Sequence, residues 1–151
     1  MRGESGQAIE TEIEILVPPE RVWRAWTEGD EFVTWWGEDG LYRVHRWEGD
    51  VRPGGSWRAE GEDKDGKPFS VCGEYRRVDP PRHLSFTWRP DWLRPDVETI
   101  VSLDFEPTAD GTRLKLRHSG FDLGESRDSH ASGWNRVLGW LRGYLSPEKQ
   151  L

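Results

Sequence analysis

Four histidines and one cysteine are the groups of this sequence most able to do chemistry: His45, His83, His118, His130 and Cys72. No two of the histidines stand four apart, the spacing that sets two imidazoles on one helical face for a metal ion. Cys72 has no second cysteine or histidine at ligand spacing. The chain also lacks a glycine-rich phosphate loop, a nucleophile elbow and a dinucleotide fingerprint. Gly54-Gly55 reads as a turn, because no helix begins after it. The expectation is a protein with no metal and no cofactor.

Polar side chains turned inward are the remaining candidates. Thr99 and His118 fall on the apolar faces of neighbouring strands, and Tyr75 shares a face with Phe69 and Val71. Converging inside the fold, these three would orient a ligand through hydrogen bonds. The plainer reading is that each satisfies a backbone group or a buried water, and for a lone histidine that reading is the stronger. As a general acid or base for an aldol-type cyclisation, His118 would need a second catalytic group, and none is evident. Around them stand large apolar side chains: Trp36, Trp57, Phe86, Trp88, Val101, Trp134 and Leu138. They fill a core or line a cavity, and large aromatics serve both ends.

The elements that position these residues follow from periodicity. Isoleucine alternates with glutamate from Ile9 to Val17, the signature of a half-buried strand. Pro18-Pro19 ends it, and Pro19 suits the first turn of a helix that carries Val22, Trp23 and Trp26 on one face. Gly29 interrupts, and Asp30 can cap a second short helix through Trp36. Period two then returns in strands over 41–48, 56–62, 69–78, 83–89, 97–105 and 112–118. Turn signals at 50–55, 63–67, 79–81 and 110–111 separate most of them. In the strand ending at Phe105, Thr99, Val101, Leu103 and Phe105 face inward, while Ile100, Ser102 and Asp104 face outward. After a loop over 119–127, Trp134, Val137, Leu138, Leu141, Tyr144 and Leu145 recur at helical spacing. That helix is expected to start between Arg127 and Ala131 and to end by Ser146. Gly133, Gly139 and Gly143 within it either admit a close neighbour or are simply tolerated.

The order is strand, two short helices, six strands, long helix. It predicts an α+β fold, a curved antiparallel sheet of about seven strands whose apolar face is covered by the C-terminal helix. Residues 1–8 read as a disordered lead-in, 9–146 as one domain and 147–151 as a short tail. The 151 residues carry ten tryptophans, which compensate for a hydrophobic share of 34%. A net charge of -7 with scattered arginines argues against nucleic acid and anionic membranes as partners. One cysteine permits no internal disulfide, and no apolar run reaches the length of a membrane span, so a reducing cytoplasm is the expected home.

Several motifs, in this order, resemble one family. They are the Pro18-Pro19-Glu20-Arg21-Val22-Trp23-Arg24-Ala25-Trp26 helix start, Trp35-Trp36-Gly37, Asp50-Val51-Arg52-Pro53-Gly54-Gly55 and Gly73-Glu74-Tyr75. Pro80-Pro81-Arg82-His83-Leu84 leading to Thr87-Trp88, Gly111-Thr112-Arg113-Leu114 and Gly133-Trp134 complete the set. The chain is similar to the activator of heat-shock-protein ATPase homologue-like family of the START-like superfamily, relatives of polyketide cyclases and the birch pollen allergen. The resemblance implies the helix-grip fold and often a cavity between sheet and helix. The expected partner is a small hydrophobic ligand of unknown identity, bound as a carrier or sensor would bind it, by a monomer or homodimer. Two alternatives accompany it. One is a polyketide cyclase or aromatase-type enzyme; the other is a chaperone-modulating interaction module, for which Trp47 and Trp92 would supply the exposed apolar patch. The eukaryotic activator that names the family has an added chaperone-binding domain, and no segment here supplies one.

Overall fold

The isoleucine–glutamate alternation builds one edge of a sheet. In β1 (Ile9–Ile15) the terminal isoleucines are buried, and the strand pairs antiparallel with β8 (Thr112–Ser119). This register sets Glu10 opposite Arg117, Glu12 opposite Lys115 and Glu14 opposite Arg113. Opposite charges in cross-strand positions give the solvent face a modest stabilising ladder. The computed structural model describes residues 8–91, 98–120 and 124–147, with backbone alone over 124–129. The expectations for residues 1–7, Trp92 and Val97 lie outside the described residues.

After β1, α1 (Pro19–Thr27) starts on Pro19 as expected and buries Val22, Ala25 and Trp26. Trp23 is only half-buried and packs on Phe105, with ring centroids 5.3 Å apart. In α2 (Gly29–Trp35) Asp30 is not the cap: it lies within the first turn. The extended backbone of Glu28 both closes α1 and opens α2, which leaves Gly29 as the first helical residue.

Seven strands then follow in a meander: β2 (Gly37–Glu38), β3 (Tyr42–Gly49), β4 (Ser56–Asp63), β5 (Pro68–Asp79), β6 (His83–Pro90), β7 (Thr99–Pro107) and β8. With β1 they form an eight-stranded sheet in the order β1-β8-β7-β6-β5-β4-β3-β2. The expected count of about seven missed β2, whose two residues are too few for alternation to register. Its Gly37 has φ +122°, and a Cβ there would lie 2.5 Å from the Tyr42 carbonyl oxygen, so glycine is required. In β7 the expected register holds: Thr99, Val101, Leu103 and Phe105 are buried, Ile100 and Asp104 are exposed.

The long helix α3 spans Gly124–Tyr144 and begins earlier than the apolar spacing indicated. Its opening turns are polar and start on a glycine, so no stripe marks them. Trp134, Val137, Leu138 and Leu141 are buried on its inner side, and Leu145 just past its end. Its glycines admit no close neighbour, because a Cβ at Gly133, Gly139 or Gly143 would meet nothing within 4 Å. Two side chains tie α3 to the front of the chain. The Tyr144 hydroxyl donates to Glu31 at 2.9 Å, and the Trp140 N–H donates to Glu38 at 2.9 Å. Arg21 pairs with the same Glu31 and lies 5.5 Å from the Tyr144 ring centroid. No helix among the described residues is long and apolar enough to cross a membrane.

A candidate binding pocket between sheet and helix

Between α3 and the inner face of β3 to β6, the side chains do not fill the space completely. A pocket of about 320 Å³ remains. From α2 come Phe32 and Trp36 at its C-terminal end; from β3 to β6 come Tyr42, Val44, Trp57, Ala59, Phe69, Val71 and Trp88. The helix supplies His130, Gly133, Trp134 and Val137, positions that share one helical face. Strand alternation explains the sheet side: Tyr42 and Val44, Trp57 and Ala59, and Phe69 and Val71 are pairs two apart on the inner face.

Gly133 explains part of the space. It is on the lining face, and its missing side chain leaves that stretch of the wall open. Gly73 does the opposite. It stands opposite Trp57 in the β4–β5 register, and a Cβ there would lie 1.9 Å from the Thr87 carbonyl oxygen and 2.7 Å from Trp57 Nε1. Glycine is needed for the close approach of the Thr87 backbone and, beside it, of the Trp57 indole.

The walls are held by a chain of buried hydrogen bonds. Trp134 Nε1–H donates to His118 Nδ1 at 2.9 Å, which makes that nitrogen the acceptor. His118 Nε2 then carries the hydrogen and donates to Thr99 Oγ1 at 2.6 Å. Thr99 Oγ1 donates in turn to the Trp88 carbonyl at 3.4 Å, and Trp88 Nε1–H donates to His130 Nε2 at 3.3 Å. Both ring nitrogens of His118 are committed, so it acts on Trp134 and Trp88 rather than on a guest. Burial, reinforced by His130, lowers its pKa from the ordinary value to about 2, and it stays neutral.

Ionisable groups at the pocket are few. Asp63 lines it, but its Oδ1 accepts the backbone N–H of Lys67 and of Asp65, each at 2.9 Å. Those bonds hold its carboxyl below the usual range and fix the β4–β5 hairpin. Burial pushes the Tyr42 hydroxyl pKa up, so it remains an O–H group. No lysine or arginine among the described residues lines the pocket. Among the described residues no group of three His, Cys, Asp or Glu side chains is arranged to hold a metal ion.

Of the residues singled out in the sequence, Trp36, Trp57, Trp88 and Trp134 line this pocket. Tyr75 and Phe86 line a smaller cavity beside it, together with Trp36, Trp57 and Trp88 again. Thr99, Val101, His118 and Leu138 are buried but line neither space. The sequence reading did not single out Tyr42, Val44, Ala59 or Val137. Tyr42 and Val44 alternate with polar and charged residues that leave the face of β3 ambiguous, and Ala59 and Val137 are small or aliphatic side chains of a kind any core contains. Phe32 is buried on the inner side of α2. Trp47, expected in an exposed patch, is half-buried and stacks on Phe32 at 5.5 Å.

The sequence profile of the Activator of Hsp90 ATPase homolog 1-like proteins matches residues 16–146. Among solved structures, the AHSA1 protein of Silicibacter pomeroyi is 28% identical with a TM-score of 0.78, covering 91% of this chain and 96% of that one. An AHSA1-like protein of Aeromonas hydrophila is 25% identical with a TM-score of 0.76, over 91% of this chain and 90% of that one. A Nitrosomonas europaea protein shares the fold at 21% identity, with a TM-score of 0.79 over 96% of this chain and 97% of that one. No curated protein matches the chain.

Proposed function

We propose, from the premise that this chain belongs to the Activator of Hsp90 ATPase homolog 1-like family, that it binds a small apolar or aromatic molecule between sheet and helix. One observation carries this reading. A space of about 320 Å³ is walled mainly by aromatic rings and aliphatic side chains, with no lysine or arginine among its described lining residues. Such a space takes up apolar surface from water and discriminates by shape. The size fits a molecule of one to a few rings. Carriage, sensing or sequestration needs only that reversible uptake. The cyclase alternative gains nothing from His118, whose nitrogens are both engaged inside the wall. The interaction alternative gains nothing from the surface: Leu16 and Ile100 are the large exposed hydrophobic side chains among the described residues.

The test uses N-phenyl-1-naphthylamine, a neutral dye that brightens in apolar surroundings. The wild-type protein is expected to bind it with one-to-one stoichiometry. Gly133→Leu should fill the pocket from the helix side and replace a poor helix former by a good one. It should keep or raise the melting temperature while weakening the dye at least tenfold. A wild-type protein that leaves the dye dark at saturating concentration, or a Gly133→Leu protein that binds it unchanged, overturns the reading.

A further inference from the structure

The pocket shares four of its walls, Phe32, Trp36, Trp57 and Trp88, with a second, more deeply buried inner cavity. This smaller cavity of about 20 Å³ is completed in part by Trp26 and Tyr75. That volume holds about one oxygen atom. Its walls are not wholly apolar. Trp26 and Trp57 are 3% and 6% exposed, and among the described residues neither indole N–H has a hydrogen-bond partner. This sets them apart from Trp35, Trp88, Trp134 and Trp140, each of which donates to a backbone or side-chain acceptor. A buried donor left unpaired is destabilising, and such groups call for an explanation. The third polar group is the Tyr75 hydroxyl, which burial keeps in its O–H form. All three can donate, and among the described residues no lysine or arginine lines either space.

We propose that the pocket selects an apolar molecule carrying one neutral acceptor oxygen, a carbonyl or an ether, which enters the inner cavity and accepts from Trp26 and Trp57. The inference rests on the binding reading above and names its ligand class. A carboxylate is disfavoured, because no cation among the described lining residues would meet it. A pure hydrocarbon would leave both indole donors unsatisfied. In the unliganded protein a water molecule suits the same place, and an acceptor oxygen can displace it while reproducing its bonds.

Calorimetric titration with a matched pair of probes decides the matter. 2-Acetylnaphthalene and 2-isopropenylnaphthalene have nearly the same shape and differ in a C=O against a C=CH2 group. Wild type is expected to bind the ketone at least tenfold more tightly. The ketone is the better hydrated of the two, so this order requires new hydrogen bonds in the protein. Trp26→Phe and Trp57→Phe each remove one donor and should bring the ketone-to-alkene ratio down, whatever the change in absolute affinity. Equal affinity of wild type for the two probes, or a preference for the alkene, overturns the inference and leaves the binding reading standing. A ratio unchanged in folded variants overturns it as well. Should neither variant fold, the wild-type ratio decides alone. Binding of neither probe overturns both the inference and the reading beneath it.

Discussion

Lowering the pH from 7 to 5 isolates the buried His118. Its side chain is 0% exposed, its Nδ1 accepts from Trp134, and its Nε2 donates to Thr99. In the fold its pKa is lowered to about 2 from the ordinary 6.5. Once unfolded, the imidazole takes up a proton as pH falls through about 6.5, so the unfolded chain then binds more protons than the folded one. Stability from this group is therefore complete above that pH and declines steadily below it, down to about pH 2. Between pH 7 and pH 5 the decline amounts to about 2 kcal/mol. For a chain of this length that lowers the melting temperature by about 4–8 °C. Denaturant unfolding of wild type and of His118→Gln, each at both pH values, separates this effect from every other titrating group. The variant loses stability at pH 7 through broken contacts, but its further loss on acidification should be smaller than that of wild type by about 2 kcal/mol. Nitrogen NMR of the folded protein should show a neutral imidazole, protonated at Nε2, down to the onset of acid unfolding. Equal slopes in the two proteins, or a charged imidazole in the fold at pH 5, would refute the assignment.

Two further substitutions probe the same architecture. Thr99→Val keeps the shape but removes the acceptor of His118 Nε2–H, and should cost about 1–3 kcal/mol in denaturant unfolding. Thr99→Ser keeps the hydroxyl and should cost clearly less; equal losses would mean that the methyl group matters and the hydrogen bond does not. Gly73→Ala drives a methyl group to within 1.9 Å of the Thr87 carbonyl oxygen and should prevent β5 and β6 from pairing as they do. Recovery of soluble protein with a wild-type melting temperature would show that the close approach of Gly73 to the Thr87 backbone is misread.

The hydrogen-bond chain changes what the inward polar residues are for. Thr99 and His118 are on β7 and β8, and Trp134 and Trp88 face each other across α3 and β6, with ring centroids 5.2 Å apart. By fixing both indoles, the chain sets part of the pocket wall. A wall with committed rotamers holds its shape when empty, which lowers the ordering cost of taking in a guest.

The sequence alone determined the sheet, its inner face and the covering helix. These depend on periodicity, and periodicity is local: glutamate cannot be buried unpaired, so the alternation in β1 and β7 admits one register. The polar character of Thr99 and His118 on apolar faces was legible for the same reason. Tertiary structure decided what those two residues touch. Thr99 meets His118 across 19 positions of sequence, and the orientation of the imidazole follows from Trp134, 16 positions further on. The pocket was also decided there. Trp57 and Trp88 line it, whereas Trp35, an equally buried tryptophan, does not. Side-chain type states how much apolar area a residue can bury, but a cavity is space that several elements together fail to fill. Gly133 shows the division most clearly. In the sequence it is a poor helix former among others; in the fold its face of α3 meets the pocket, while Gly139 and Gly143 are exposed to solvent.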